Sequence, residues 1–487
     1  MKKSILILSL VLAGCGGGGD GTSPISAPTI APAVAVAPID NTFPDMRNIF
    51  SKLCGNSTVV QTLEKVDLNN DGRPDIILGA WCDLNGQKLA GWPIGSLYNG
   101  PVPNSVIALL QKADGTFEIG NQQLFGSDIM ALEGTWPSPA IGDFNNDGRP
   151  DLAFSTNKED GRSPVTFSDG TNNFTSHIQI LLSSPNNTYK LHTIGEPTVS
   201  ARLHIIKDNL NQDVLVFNDV AYKYTNKWTT YSYNSIISKL TLFAHNSSNY
   251  IVSAIYNNTQ LGIKLMKQIN NVWTDLDQFL FPSMRLVETY DAKYGVNGYT
   301  KQNLITINDV DWLIPSITSG CVISNSNNEK TIALIFEGIK LNKKYTGQLL
   351  EFGYDLGPYI GQIMLINIQN EKMISITSPS DLSVDKYFAQ ICANVNNDNL
   401  QDIIITRWND GVGAVPYIFI NNNGTFSPVS LSKLPTSPEY YKGNSSFFAD
   451  LDNDSKVDLI YYPLLGVKPD YTGEIRLKLH KNNGAWN

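Results

Sequence analysis

Short apolar runs bounded by polar turns recur along the chain. Four of them start on an aspartate: DIILGA from Asp75, DLAFS from Asp151, DIIIT from Asp402 and DLIYY from Asp458. These runs are β-rich and too short for helices. Downstream comes a second recurring pattern: an alternating strand, a short turn containing Asn, Asp or Gly, and a return strand led by an aromatic residue. It spans Val106–Phe117, His177–Tyr189, Tyr417–Phe426 and Glu474–Trp486, with weaker copies at Gly262–Trp273, Ala221–Trp228 and Ile363–Ile376. These are β-hairpin signals. Strand, acidic turn, strand, connection and hairpin together make a unit of four strands.

The acidic turn has its own chemistry. In Asp143-Phe-Asn-Asn-Asp-Gly-Arg-Pro-Asp151, side-chain oxygens fall at positions 1, 3, 5 and 9 (Asp143, Asn145, Asp147, Asp151). Gly148 at position 6 permits a sharp turn, and the carbonyl of Arg149 is placed to serve at position 7. Calcium takes six to eight oxygens of this kind. Asp67, Asn69, Asp71, Arg73 and Asp75 repeat the pattern around Gly72. Asp450, Asp452, Asp454, Lys456 and Asp458 repeat it with Ser455 at the turn, and Asn394, Asn396, Asp398, Leu400 and Asp402 with Asn399. Asn tolerates the left-handed conformation that position 6 requires. Asp208–Asp213 holds only a trace of the pattern, without oxygens at the right offsets. Position 12 is Leu78, Phe154, Ile405 or Tyr461, so the bidentate Glu of an EF-hand is missing. The expectation is about four Ca²⁺ sites in loops that feed directly into strands.

Loop starts are spaced 76 (67 to 143), 65 (143 to 208) and 56 (394 to 450) residues apart. At roughly 60 residues per unit, about 445 residues give seven units. Four-stranded units repeating radially form a β-propeller. The expected fold is therefore all-β: a seven-bladed β-propeller of four-stranded antiparallel blades over 44–487, with Ca-binding loops between strands 1 and 2. A tandem of β-sandwiches is the rival arrangement, but it does not require loops and hairpins in fixed alternation. The loops and their following strands resemble FG-GAP/VCBS repeats, the type found in integrin α-subunit propellers and many bacterial surface proteins. Phe447-Phe448-Ala449-Asp450 keeps the apolar lead-in of that motif. The resemblance covers 60–125, 135–195, 390–430 and 445–487. Residues 200–385 carry three blades by hairpins alone, and 278–362 hold more chain than one blade needs, which predicts an insertion or an irregular blade there.

Composition agrees with a turn-rich β protein: 38 Gly, 25 Pro and only 17% charged residues in 487. The formal charge is −9, and 12 carboxylates lie in the four loops. The acidity reads as metal ligands, and nucleic acid is excluded as an expected partner. Lys2 and Lys3 precede an apolar core, Ile5–Leu12, too short to span a bilayer. Leu12-Ala13-Gly14-Cys15 resembles a bacterial lipobox, which implies cleavage of a signal peptide (1–14) and lipidation of Cys15. Gly16 follows instead of the Asp that resembles an inner-membrane retention signal. The implied home is the outer membrane, anchored by lipid only and facing the periplasm or the cell exterior. Residues 15–43, rich in Gly, Pro and Ala, read as a flexible tether. The Gly-x-Gly-x-x-Gly match inside it lacks the flanking strand and helix of a dinucleotide site.

Cys54, Cys82, Cys321 and Cys392 remain, an even count in an exported chain, which suggests disulfides. They allow three pairings. Cys54–Cys82 with Cys321–Cys392 is favoured because each joins neighbours in sequence. Catalytic motifs are lacking: no Gly-x-Ser-x-Gly, no His-Glu-x-x-His and no P-loop, and the five histidines are scattered. The face opposite the acidic loops receives the long connections, which carry Trp92, Tyr98, Trp136, Arg162, Trp408, Tyr440 and Tyr471. Such a rim suits a glycan or an envelope or host protein as ligand. The reading is a binding or adhesion module. Its alternatives are a lyase-like polysaccharide-active enzyme and a scaffold in an envelope complex.

Overall fold

The apolar runs become the middle strands of antiparallel sheets in the computed structural model. It describes residues 42–46, 49, 58–82, 104–128, 130–132, 139–155, 178–194, 203–208, 211–217, 220–232, 239–245, 248–257, 259–269, 272–292, 299–324, 330–351, 355–377, 383–385, 387–396, 398–407, 416–429, 446–461 and 477–482. The first sheet contains β1 (Thr58–Val66), β2 (Asp75–Cys82), β3 (Asn104–Gln111) and β4 (Phe117–Ile119), with β5 (Met130–Leu132) pairing β3. A short helix, α1 (Asn121–Phe125), follows β4. The second sheet is β6 (Pro139–Gly142), β7 (Asp151–Ser155), β8 (Ile178–Ser183) and β9 (Tyr189–Ile194). The third is β10 (His204–Lys207), β11 (Asp213–Phe217), β12 (Val220–Tyr224) and β13 (Trp228–Ser232). The fourth is β14 (Lys239–His245), β15 (Ser248–Asn257), β16 (Gln260–Ile269) and β17 (Val272–Leu280).

The fifth sheet is larger. It holds β18 (Arg285–Tyr290), β19 (Tyr299–Ile307), β20 (Val310–Ser324), β21 (Lys330–Leu341), β22 (Leu350–Glu351), β23 (Leu356–Gln369), β24 (Lys372–Thr377) and β25 (Ser383–Asp385). The sixth is β26 (Tyr387–Ala393), β27 (Asp402–Arg407), β28 (Tyr417–Asn422) and β29 (Thr425–Pro428). The seventh, among the described residues, has three strands: β30 (Ser446–Ala449), β31 (Asp458–Tyr461) and β32 (Lys478–His480).

Apolar clusters join the sheets one after another. Leu152 and Leu181 pack with Val66, Ile77 and Val106 of the first sheet. Ile180 packs with Leu215 and Tyr222 of the third, and Val214 with Ile251 and Met266 of the fourth. Val252 and Ile263 meet Ile332 and Phe336 of the fifth. Ile335 and Ile363 meet Ile403 and Phe419 of the sixth, and Ile404 and Ile418 meet Val457 and Leu459 of the seventh. The circuit closes where β30 lies against β1. There Lys65 Nζ donates to Asn453 Oδ1 at 2.9 Å. Each sheet is thus covered on both faces, so its middle strands lose the in–out alternation of a half-buried strand. All six residues of β8 are buried, and β21 is buried from Thr331 to Gly338. Each fully buried Leu or Ile contributes about 1.5–3 kcal/mol relative to exposure.

The architecture is a β-propeller with four-stranded antiparallel blades, but the expected count of seven such blades is corrected to five among the described residues: the first four sheets and the sixth. In the fifth sheet β20, β21, β23 and β24 follow the blade path, but β18 and β19 extend it beyond β20. Its strands are also long, 15 residues in β20 and 14 in β23. The surplus chain in 278–362 therefore becomes extra sheet. Six of the seven expected hairpins have both strands among the described residues. Two of them turn through two left-handed residues, Asn370 (φ 49°)–Glu371 (φ 65°) and Asn423 (φ 55°)–Gly424 (φ 94°), the backbone that matches strand twist.

Cys321 and Cys392 form a disulfide, with Cα atoms 5.6 Å apart, which links the fifth and sixth sheets. The companion Cys54–Cys82 pairing, the leader and tether (1–41), lipidation at Cys15 and the seven rim residues lie outside the residues whose side chains are described.

Glu64 stands on β1 opposite Ile77, and burial pushes its carboxyl up to about 7. The folded state therefore holds a proton that the unfolded chain releases near the ordinary carboxylate range. Stability is full below that range and is lost as pH rises through about 7. Glu64→Gln is expected to melt higher than the parent at pH 8, with the two converging at pH 4, by thermal unfolding at each pH.

Candidate metal centres

Each acidic loop joins the first and second strands of its sheet: β1 to β2, β6 to β7, β26 to β27 and β30 to β31. The local backbone follows from residue type. Position 6 is left-handed in all four (Gly72 φ 82°, Gly148 φ 81°, Asn399 φ 65°, Ser455 φ 68°). Position 4 is also left-handed at Asn70 (φ 57°), Asn146 (φ 58°) and Asn453 (φ 58°). A Cβ added at Gly72 or Gly148 would meet nothing within 4 Å. Glycine is needed there for its backbone freedom, with no steric demand from neighbours.

Position 1 braces the turn. Asp67 accepts from the N–H groups of Asp71 (3.0 Å) and Gly72 (2.8 Å). Asp143 accepts from Asp147 and Gly148, both at 2.9 Å, and Asp450 from Asp454 and Ser455, both at 3.2 Å. The position 5 carboxylate accepts from the N–H of position 7: Arg73 (2.9 Å), Arg149 (3.0 Å), Leu400 (2.8 Å) and Lys456 (2.9 Å). The amides of Asn69, Asn145 and Asn396 lie beside the carboxylates of Asp71, Asp147 and Asp398, at 2.8, 3.1 and 2.8 Å. At the last loop position 3 is an aspartate, and oxygens of Asp450, Asp452 and Asp454 all lie within 4.8 Å of one another. Oxygens of this type and spacing are those a hard divalent cation takes.

Position 9 behaves differently. Asp75, Asp151 and Asp402 are fully buried and Asp458 is 1% exposed. One oxygen of each accepts the N–H of position 2: Leu68 (2.9 Å), Phe144 (2.7 Å), Val395 (2.7 Å) and Leu451 (3.2 Å). The other accepts a backbone N–H at or just beyond the end of the third strand: Gln111 (2.7 Å), Ser183 (2.7 Å), Asn421 (2.8 Å) and Asn482 (2.9 Å). Burial pushes all four carboxyls up, Asp75 and Asp151 to about 6, while these amide bonds pull them down. Position 9 thus ties loop to hairpin through both of its oxygens.

The position 2 carbonyl is held from the neighbouring sheet. Leu68 O accepts from Tyr189 OH (3.1 Å), which is shared with Pro150 O (3.0 Å). Phe144 O accepts from Gln212 Nε2 (2.8 Å), Val395 O from Asn482 Nδ2 (2.7 Å) and Leu451 O from Gln111 Nε2 (3.0 Å). Sequence reading missed Gln111, Ser183, Asn421 and Asn482. Their signal was a polar residue at or just past the end of each apolar third strand. At the trace, Asp208–Asp213, Lys207 pairs with Asp213 at 2.8 Å and Lys223 with Asp208.

The sequence model of the FG-GAP-like repeat matches residues 67–154 and 394–461, which contain all four loops. With the circuit of sheets, this makes the chain a β-propeller carrying FG-GAP-like repeats. No curated protein matches it. Solved structures that it resembles include a GH93 α-L-arabinofuranosidase of Fusarium graminearum in complex with arabinobiose, at 9% identity and TM-score 0.37, over 88% of this chain and 95% of that one. A protein of unknown function from Dyadobacter fermentans matches at 10% identity and TM-score 0.36, over 86% and 96%. A puromycin-hydrolyzing peptidase of Mycobacterium tuberculosis matches at 9% identity and TM-score 0.30, over 82% and 58%.

Proposed function

We propose that the protein is a calcium-stabilised binding module of the cell envelope, anchored by lipid at Cys15 and engaging a glycan or protein partner through its rim. The observation that carries the metal half is the convergence of the Asp450, Asp452 and Asp454 oxygens in a loop whose turn is set by Asn453 and Ser455. The other three loops repeat that frame with amide oxygens at position 3. Calcium there supplies positive charge between carboxylates that otherwise repel one another. The chain's own residues do the rest: position 9 fixes the loop to its hairpin, and position 6 reverses the backbone.

The leader and the Leu-Ala-Gly-Cys stretch support the envelope location. Trp92 and Trp408, which lie in sequence between the second and third strands of their blades, are the expected ligand contacts. At tenfold saturation each site adds about 1.4 kcal/mol. A chelator should therefore lower the melting temperature and millimolar calcium restore it. A melting curve indifferent to both removes the metal. For the ligand, binding on a glycan array that is lost in Trp92→Ala or Trp408→Ala supports the rim, and loss in neither variant removes it.

A further inference from the structure

The four acidic loops stand at opposite ends of the sequence but side by side in the circuit. In spatial order they belong to the sixth, seventh, first and second sheets. The seam where the two ends of the chain meet falls in the middle of that run. Cross-seam hydrogen bonds end on the last loop: Gln111 Nε2 donates to Leu451 O at 3.0 Å, and Lys65 Nζ to Asn453 Oδ1 at 2.9 Å. Gln111 is held in turn by the first loop, since its N–H donates to Asp75 (2.7 Å) and its carbonyl accepts Arg73 Nε (2.8 Å). The first and last loops are therefore joined across the seam.

The last loop also carries ammonium groups on three of its carboxylates. Lys65 Nζ lies 3.8 Å from Asp450, Lys481 Nζ lies 3.2 Å from Asp452, and Lys456 pairs with Asp454. Lys65 comes from the other side of the seam. These lysines offset part of the charge that a divalent ion would offset in full.

The geometry points to the Asp450–Asp458 loop as a metal-dependent clasp that closes the propeller. This rests on the calcium reading above. With metal bound, the loop is rigid and presents Leu451 O to Gln111. Without it, Lys65, Lys456 and Lys481 hold the loop less firmly, and the seam is where the circuit opens first.

Hydrogen exchange read by mass spectrometry on the full chain tests this. In chelator, peptides covering β1 and β30–β31 should exchange about tenfold faster than in calcium, while those of the fourth sheet, which has no acidic loop, change less than about twofold. Gln111→Met in calcium should reproduce the faster exchange at β1 and β30. Lys65→Met should loosen the seam in both media, and more in chelator than in calcium. A uniform rise across all sheets, an inert Gln111→Met, or an equal Lys65→Met effect in both media overturns the clasp. Calorimetry separates the failures. Calcium binding without a seam response defeats the clasp alone, and no calcium binding defeats the metal reading with it.

Discussion

Asp151→Ala is expected to destabilise the protein by about 3–5 kcal/mol, measured by urea denaturation in the presence of chelator so that no metal contributes. The carboxylate is fully buried. It accepts from Phe144 N (2.7 Å), Ser183 N (2.7 Å) and Ser183 Oγ (2.7 Å). Alanine leaves the two amides without an acceptor in a buried place, at about 1–3 kcal/mol for each stranded donor, while Ser183 Oγ keeps the Asp147 carboxylate 3.3 Å away. Ser183→Ala removes one donor and leaves the acceptor satisfied by the two amides, so its loss should be nearer 1 kcal/mol. If Asp151→Ala is as mild as Ser183→Ala in chelator, position 9 serves the metal only, and its role as a backbone anchor is wrong.

Breaking the Cys321–Cys392 disulfide is expected to cost about 4 kcal/mol, because it closes a span of 71 residues and so constrains the unfolded chain. The paired substitution Cys321→Ser with Cys392→Ser should lower the unfolding free energy by that amount, read from the shift in the urea midpoint at unchanged slope. A reducing agent should do the same to the parent and nothing further to the variant. The effect should also appear as faster opening between β20 and β26, whose first-strand contact the bridge spans. A loss under 1 kcal/mol would place the bridge on structure that is already fixed without it.

Much of this was legible in the sequence because its causes are local. A left-handed position 6, oxygens at alternate positions and an apolar run from position 9 leave a nine-residue signature, and each of the four became a strand-to-strand loop. Hairpins were legible for the same reason. Blade number was not. Dividing the chain by an average unit length treats every unit as equal, and β18 and β19 spend residues on widening one sheet. The clasping side chains were also hidden, since Gln111 finds Leu451 across 340 residues and Tyr189 finds Leu68 across 121. A polar residue closing an apolar strand marks Gln111 as a strand end, but does not say which loop its side chain reaches. The aspartates of position 9 were read as ligands alone, and their anchoring of loop to hairpin appears only once the third strand is in place beside them.

Lys65 and its partner Asn453 are 388 residues apart, which bears on how the molecule is made. A chain delivered from its N-terminus builds its sheets in order, yet β1 must wait for β30 before that edge of the first sheet is covered. Contacts so remote form late and slowly. Until nearly the last residues arrive, the newborn protein is an open fan with one apolar face bare, and it is in that interval that it most needs a chaperone's shelter.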